Sequence, residues 1–93
     1  MRLTPQITQA LTNLKIESLN PMQETAIESW REGKDLILLS PTGSGKTLAY
    51  LLPLLETLQP DVKGVQAVVL VPSRELALQI DQVFKSLNTP YKV

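Results

Sequence analysis

One run of residues near the middle of the chain has the composition of a loop that holds a phosphate chain. It reads Ser40, Pro41, Thr42, Gly43, Ser44, Gly45, Lys46 and Thr47. Its two glycines let backbone N–H groups converge on an anion from one side without Cβ clashes. Lys46 offers a compact cation to the β- and γ-phosphates, and the Thr47 hydroxyl is suited to a bound Mg²⁺. The run therefore predicts a nucleotide site with Mg²⁺.

The surroundings of this loop favour the same interpretation. The apolar run 36–39 leads directly into it, and a helix is expected to begin at about Lys46 with its N-terminus facing the bound anion. The template GxxxxGK[ST] has glycine where this chain has Ser40, which is a departure from the pattern. The alternative is a glycine-containing connection between a strand and a helix, but it does not account for Lys46 and Thr47 together.

Composition excludes several other kinds of site. The chain has 93 residues, nine basic and nine acidic side chains, and neither cysteine nor histidine. It therefore has no disulfide framework, and it lacks the commonest zinc ligands. Because the charges cancel, any contact with nucleic acid must be local. The apolar run 48–55 is too short to cross a bilayer and the first residues form no secretory signal, so we expect a cytoplasmic chain without membrane contact.

The elements that must position the loop follow from capping residues and apolar spacing. Helices are expected over residues 5–14, 21–31, 46–58 and 74–87, and strands over 35–40, 66–71 and, as a stub, 91–93. This order implies an α/β fold, with a parallel sheet, right-handed crossovers and flanking helices. The third helix has almost no polar face, so either other elements cover it nearly all round or it lies against structure that this chain does not contain.

The predicted sheet is incomplete. Its strands would leave long apolar edges open, which native domains rarely do. We therefore expect a fragment, or a domain that does not stand alone, in which the helices of residues 1–34 precede a strand–helix unit at 35–93. Open edges could also pair chains, so the sequence leaves the oligomeric state undetermined.

Segments of the chain resemble, in order, the first part of a DEAD-box ATP-dependent RNA helicase. The loop 40–47 is similar to motif I of that family, A-x-T-G-S-G-K-T, and residues 72–79 are close to motif Ia, P-T-R-E-L-A-x-Q, with Ser73 in place of threonine. Residues 16–23 resemble the Q motif, less closely. The resemblance implies part of the first RecA-like P-loop NTPase domain, with ATP and Mg²⁺ as ligands. It also implies that the parent protein unwinds RNA duplexes locally.

Gln23 has two interpretations. Its amide places a donor beside an acceptor, which matches N6 and N7 of adenine, and the resemblance to the Q motif implies adenine recognition. With Asn20 as N-cap, Gln23 also occupies the N3 position of a capping box, where its amide could satisfy the Asn20 N–H. Both can hold, since the amide has spare hydrogen-bonding capacity. The family usually has glycine and an aromatic residue where Lys15 and Ile16 stand, so no aromatic partner for adenine is identified.

Pro72, Ser73 and Arg74 are the candidates for contact with RNA. Ser73 caps a helix whose N-terminus, with Arg74 beside it, can bind a backbone phosphate, and motif Ia implies a path for single-stranded RNA. The alternative is a solvated arginine that pairs with nothing. Trp30 could stack on a base, but its place on an apolar stripe with Ile27 favours a position in the core.

Hydrolysis is not expected of these residues alone. Phosphoryl transfer to water needs an acidic residue that holds Mg²⁺ and orients water, and usually an arginine; nothing in the chain resembles the D-E-A-D segment. Lys46 and Thr47 would take part in catalysis in the parent protein.

Two other functions stay open. One is a superfamily-2 DNA helicase, which residues 72–79 disfavour; the other is a non-catalytic module that docks through the apolar helix 48–58.

Overall fold

The computed structural model describes residues 2–39, 45–87 and 89–91. Within these ranges it contains four α-helices, which are α1 Pro5–Asn13, α2 Pro21–Arg31, α3 Lys46–Thr57 and α4 Arg74–Ser86. The helices expected from the sequence are thus confirmed, and their ends differ from the predicted ones by at most one residue. None of the helices in the described part of the chain has the length and hydropathy needed to span a bilayer.

Side-chain caps fix where α1, α2 and α4 begin. Thr4 Oγ1 and Ser73 Oγ each accept a hydrogen bond from the backbone N–H three positions later, at 3.4 and 3.2 Å. α2 begins at a reciprocal capping box formed by Asn20 and Gln23. Each cap satisfies an N–H group that has no partner within its own helix. These helix starts could be predicted because they depend on residue types that are local in the sequence.

α1 and α2 both end in a Schellman motif, in which one residue after the helix has a positive φ. After α2 this residue is Gly33, at φ 75°, in agreement with its residue type. After α1 it is Lys15, at φ 60°, at the position where the family pattern has glycine. The Ile16 N–H bonds back to the Leu11 carbonyl at 2.9 Å, which closes the motif around Lys15. A lysine therefore adopts a conformation that costs an L-residue roughly 1 kcal/mol.

Replacing Lys15 by glycine is expected to raise the free energy of unfolding by about 0.5 to 1 kcal/mol, because glycine adopts positive φ without steric strain. Urea denaturation of the intact protein measures this change. Gly33→Lys is the matched control: it places the same side chain in the same motif, where nothing lies within 4 Å of an added Cβ. That variant should lose a similar amount of stability. A Lys15→Gly variant no more stable than the original protein would contradict the prediction.

α3 lies at the centre of the core. It packs against α1, α2 and α4, and its buried residues are Ala49, Leu51, Leu52, Pro53 and Leu55. Its leucines join one apolar cluster whose other buried members are Ile7, Ala10, Leu11, Ile27, Phe84 and Leu87. The expectation that α3 is covered on most of its surface is confirmed. Removal of this apolar surface from water, at about 25 cal/mol per Å², is what holds the helices together.

α4 is covered only along its second half. Phe84 and Leu87 are buried, whereas Leu76 is 36% exposed. Between α3, α4 and residues 60–71 lies an open groove of about 680 Å³, which Ala77 and other small or apolar side chains line. The apolar side of the first half of α4 therefore faces this groove, and not a packed neighbour.

The predicted parallel sheet is not confirmed. Residues 35–39 and 66–71 are not in strands, and no strand occurs among the residues that the structure describes. Ile37 and Leu39 are 84% and 91% exposed, although the apolar run 36–39 predicts a strand inside a sheet. A strand needs a neighbour that shares its backbone hydrogen bonds, and within the described ranges the two segments make none with each other. The last residues of the predicted third strand, 92–93, lie outside the described residues.

Candidate nucleotide-binding site

The loop predicted to bind phosphate is described in part. Outside the described residues lie Ser40, Pro41, Thr42, Gly43 and Ser44, and their phosphate contacts stay predictions. Gly45 is the N-cap of α3, with φ 89° and ψ 21°. Lys46 and Thr47 follow in the first turn, and both are half-buried. Since a glycine N-cap has no side chain to accept the first N–H groups of the helix, this end of α3 has the character of an anion-binding helix N-terminus.

Gln23 lies directly against the end of this loop. The side chain is buried, with 5% of the residue exposed. Its Oε1 accepts a hydrogen bond from the Asn20 N–H at 3.0 Å, and its own N–H donates to Asn20 Oδ1 at 2.9 Å. Its Nε2 donates to the Gly45 carbonyl at 3.3 Å. The capping-box interpretation is therefore confirmed, and the same amide joins the Q-motif segment to the start of α3.

A side chain at Gly45 would displace the Gln23 amide. Its φ of 89° is in the left-handed region that favours glycine. An added Cβ would lie 2.6 Å from Gln23 Nε2 and 3.3 Å from Asn20 Nδ2. The sequence suggests that glycine serves the approach of the phosphate. The structure gives a second reason, which is the close approach of α2.

The far ends of α2 and α3 are joined by a group of four residues, Trp30, Arg31, Glu56 and Thr57, which we call the helix-end clamp. The indole Nε1–H of Trp30 donates to Thr57 Oγ1 at 2.9 Å. Arg31 Nε donates to Glu56 Oε2 at 3.1 Å, and Arg31 Nη2 pairs with Glu56 Oε1. The hydrogen bonds to Glu56 raise the pKa of the Arg31 guanidinium; partial burial opposes this rise, and the negative charge of Glu56 adds to it. The clamp is thus a bidentate ion pair beside an indole–hydroxyl bond.

Trp30 belongs to this helix contact. The residue is half-buried, and its one polar atom is occupied by the bond to Thr57. The predicted place in the core is not confirmed, because Trp30 is not among the described residues of the apolar cluster; it contacts α3 through its hydrogen bond to Thr57.

The residues predicted to contact RNA lie at the start of α4. Pro72, Ser73 and Arg74 are all exposed. The Ser73 hydroxyl oxygen accepts from the Leu76 N–H at 3.2 Å, so it caps the helix as predicted. Exposure of Arg74 is compatible with a phosphate contact and with a solvated arginine, so the RNA contact stays a prediction.

Reasoning from the sequence missed both contacts between α2 and α3. The bond from Gln23 to Gly45 joins residues far apart in the chain, and no local pattern specifies it. The clamp had a weak signal, because Glu56 is the sole acidic residue of α3, a helix of mainly apolar side chains. A lone carboxylate in such a helix indicates a nearby cation, and Arg31 in the last turn of α2 is that cation.

Comparison with known proteins gives a consistent set of matches. A model of the DEAD/DEAH box helicase family matches residues 20–93. The chain is 57% identical over 65 residues to the "Probable ATP-dependent RNA helicase YfmL" of Bacillus subtilis, a match that covers 70% of this chain and 17% of that protein. It is 49% identical over 80 residues to the DEAD-box ATP-dependent RNA helicase CshC of Bacillus cereus, a match that covers 86% of this chain and 21% of that protein.

A eukaryotic relative matches over a longer part of the chain. Identity to the ATP-dependent rRNA helicase RRP3 of Saccharomyces cerevisiae is 43% over 89 residues, which covers 96% of this chain and 18% of that protein. The chain thus spans about a fifth of the length of the curated relatives that it matches.

Proposed function

Because the chain belongs to the DEAD/DEAH box helicase family, we propose that it forms the ATP-binding part of an ATP-dependent RNA helicase. The observation that carries this proposal is the hydrogen bond from Gln23 Nε2 to the Gly45 carbonyl, at 3.3 Å. It brings the Q-motif segment, residues 16–23, against the end of the phosphate loop. One nucleotide, with its base near Gln23 and its phosphates in the loop, can therefore contact both.

In this proposal the loop 40–47 holds the phosphates of ATP, with Lys46 beside the β- and γ-phosphates. Thr47 supplies a hydroxyl ligand to Mg²⁺, which prefers oxygen donors and keeps several waters. The fit is supported by the glycine N-cap of α3 and by the position of both residues in its first turn. The ion would neutralise charge on the phosphate oxygens when bound.

The base is read by Gln23. The capping box uses one lone pair of Oε1, and the bond to Gly45 uses one hydrogen of Nε2. A glutamine amide has a second lone pair and a second hydrogen, which suit N6 and N7 of adenine. Cap and base reader are therefore compatible roles for the same side chain.

The remainder of the proposal concerns fold and RNA. Residues 1–34 supply the Q-motif helices, and residues 35–93 supply a P-loop unit of alternating strands and helices in a RecA-like domain. The family match supports that fold, with segments 35–40 and 66–71 forming strands when neighbouring strands are present. RNA contacts Pro72, Ser73 and Arg74, which lie exposed at the N-terminus of α4.

Turnover belongs to the parent protein in this proposal. The relatives are named as ATP-dependent RNA helicases, and ATP hydrolysis needs an acidic residue that orients water. We expect the 93-residue chain alone to bind nucleotide weakly and to release no phosphate.

ATP hydrolysis by the intact protein, measured with single-stranded RNA and with DNA of the same base sequence, tests the proposal. RNA should stimulate phosphate release at least about tenfold more than DNA, because 2′-hydroxyl groups allow a protein to distinguish the two. Equal stimulation by DNA would instead identify a DNA helicase of superfamily 2. Absence of any nucleotide binding would favour a non-catalytic interaction module.

A further inference from the structure

α2 touches α3 at both of its ends. At the start of α2, Gln23 bonds to Gly45, the N-cap of α3. At its end, Arg31 and Glu56 form the ion pair of the helix-end clamp. The N-terminal ends of the two helices are in contact, and so are their C-terminal ends, so the helices run in the same direction. At 1.5 Å per residue, the clamp lies about 12 Å along α2 from Gln23.

The contact between the two ends is apolar. Ile27 of α2 packs in one cluster with Leu51, Leu52 and Leu55 of α3. Apolar burial is non-directional, and hydrogen bonds depend on distance and angle. The polar contacts at the ends therefore fix the displacement of one helix along the other more sharply than the apolar contact does.

Of these polar contacts, the one at Gln23 is the weaker. Its N···O distance of 3.3 Å exceeds the usual 2.9–3.0 Å of such bonds, which are roughly the commonest values in proteins. The clamp bonds of 2.9 and 3.1 Å are shorter. The Thr57 hydroxyl also donates to the Pro53 carbonyl at 3.2 Å, while its oxygen accepts the bond from the Trp30 indole. A displacement of α2 along α3 would break these hydrogen bonds.

The ion pair of the clamp is also less exposed to water than an ordinary surface ion pair. Exposed pairs contribute little, because water and salt screen them. Here the Glu56 side chain is only 11% exposed and that of Arg31 is 32% exposed, and the pairing is bidentate. Such a geometry fixes both position and orientation.

We propose that the helix-end clamp sets the position of α2 along α3 and thereby holds the Gln23 amide at the base end of the nucleotide site. Trp30, Arg31, Glu56 and Thr57 are then positioning residues for base recognition, although none of them touches nucleotide. The role in base recognition rests on the proposed function, whereas the control of Gln23 by the clamp does not.

Charge reversal across the ion pair tests the proposal in the intact protein. Arg31→Glu and Glu56→Arg should each lower the preference for a fluorescent ADP over the matching GDP by about fivefold, since small misplacements of a positioning group have large effects. Affinity for the GDP analogue should stay within about twofold, because the phosphate loop is untouched. The double reversal should restore the preference. If a reversal variant does not fold, Thr57→Val takes its place in the test. It keeps the side-chain shape and should give the same loss of preference for ADP.

A second ion pair in the chain provides the matched control. Asp81 and Lys85 of α4 pair at 2.9 Å, and α2 takes no part in that contact. Lys85→Glu reverses a charge there and should leave the ADP preference unchanged. An unchanged preference in both Arg31→Glu and Glu56→Arg would overturn the proposal.

A measurement without nucleotide separates this proposal from the proposed function. The side-chain NH₂ signals of Gln23 in ¹⁵N–¹H spectra report on its bond to Gly45. The chemical shifts of these signals should change in each single reversal and return to their original values in the double variant. They should be unchanged in Lys85→Glu. If the original protein shows no preference for ADP, the adenine-reading role of Gln23 is wrong, and the spectra still decide whether the clamp positions it. Signals that do not move in either reversal would overturn the positioning role.

Discussion

Gly45→Ala is expected to lower the free energy of unfolding by about 3 kcal/mol. Roughly 1 kcal/mol comes from the left-handed conformation, in which Gly45 has a φ of 89°. A further 2 kcal/mol or so comes from displacing a buried, hydrogen-bonded amide, since the new Cβ would lie 2.6 Å from Gln23 Nε2. Urea denaturation followed by circular dichroism measures the loss.

Gly64→Ala is the control that separates strain from collision. Gly64 has a φ of 94°, but nothing lies within 4 Å of its added Cβ. That variant should therefore lose only about 1 kcal/mol. Equal losses in the two variants would show that the contact between Gln23 and Gly45 contributes nothing to stability.

Lys46→Ala is expected to weaken ATP binding about 100-fold in the intact protein. Removing a cation that pairs with phosphate oxygens costs roughly 3 kcal/mol, and each 1.4 kcal/mol corresponds to about tenfold in affinity. AMP should be affected much less, because Lys46 is proposed to lie beside the β- and γ-phosphates. Titration with fluorescent ATP and AMP analogues measures both affinities.

Lys63→Ala controls for the loss of a positive charge in general. Lys63 is an exposed lysine in the segment between α3 and α4, and its replacement should leave ATP affinity within about twofold. If Lys46→Ala bound ATP as tightly as the original protein, the phosphate-loop assignment would be wrong, and with it the proposed function.

The helices could be predicted because their signals are local. Thr4, Asn20 and Ser73 accept hydrogen bonds from N–H groups within one turn, and the apolar spacing of α3 determines that it is buried. The strands could not be confirmed because a strand is defined by its neighbours. Residues 35–39 have strand-forming residue types, but within the described ranges they share no hydrogen-bond ladder.

In the candidate site, too, local features could be predicted from the sequence and features that depend on packing could not. The local interpretation of Gln23 as a capping residue is confirmed, since it depends only on Asn20 three positions earlier. Its contact with Gly45 depends on how α2 packs on α3, which no spacing in the sequence encodes. The clamp depends on that packing too, and the lone acidic charge of α3 at Glu56 was its one signal in the sequence.

The shared direction of α2 and α3 has an electrostatic consequence. Each helix carries a macrodipole of roughly half a positive charge at its N-terminus and half a negative charge at its C-terminus, and neighbouring helices with one orientation place like poles side by side. Arg31 lies where both negative poles meet. At the opposite end, beside Gly45, two positive poles meet, and a polyanion bound there would relieve their repulsion. Binding and helix packing would then stabilise each other.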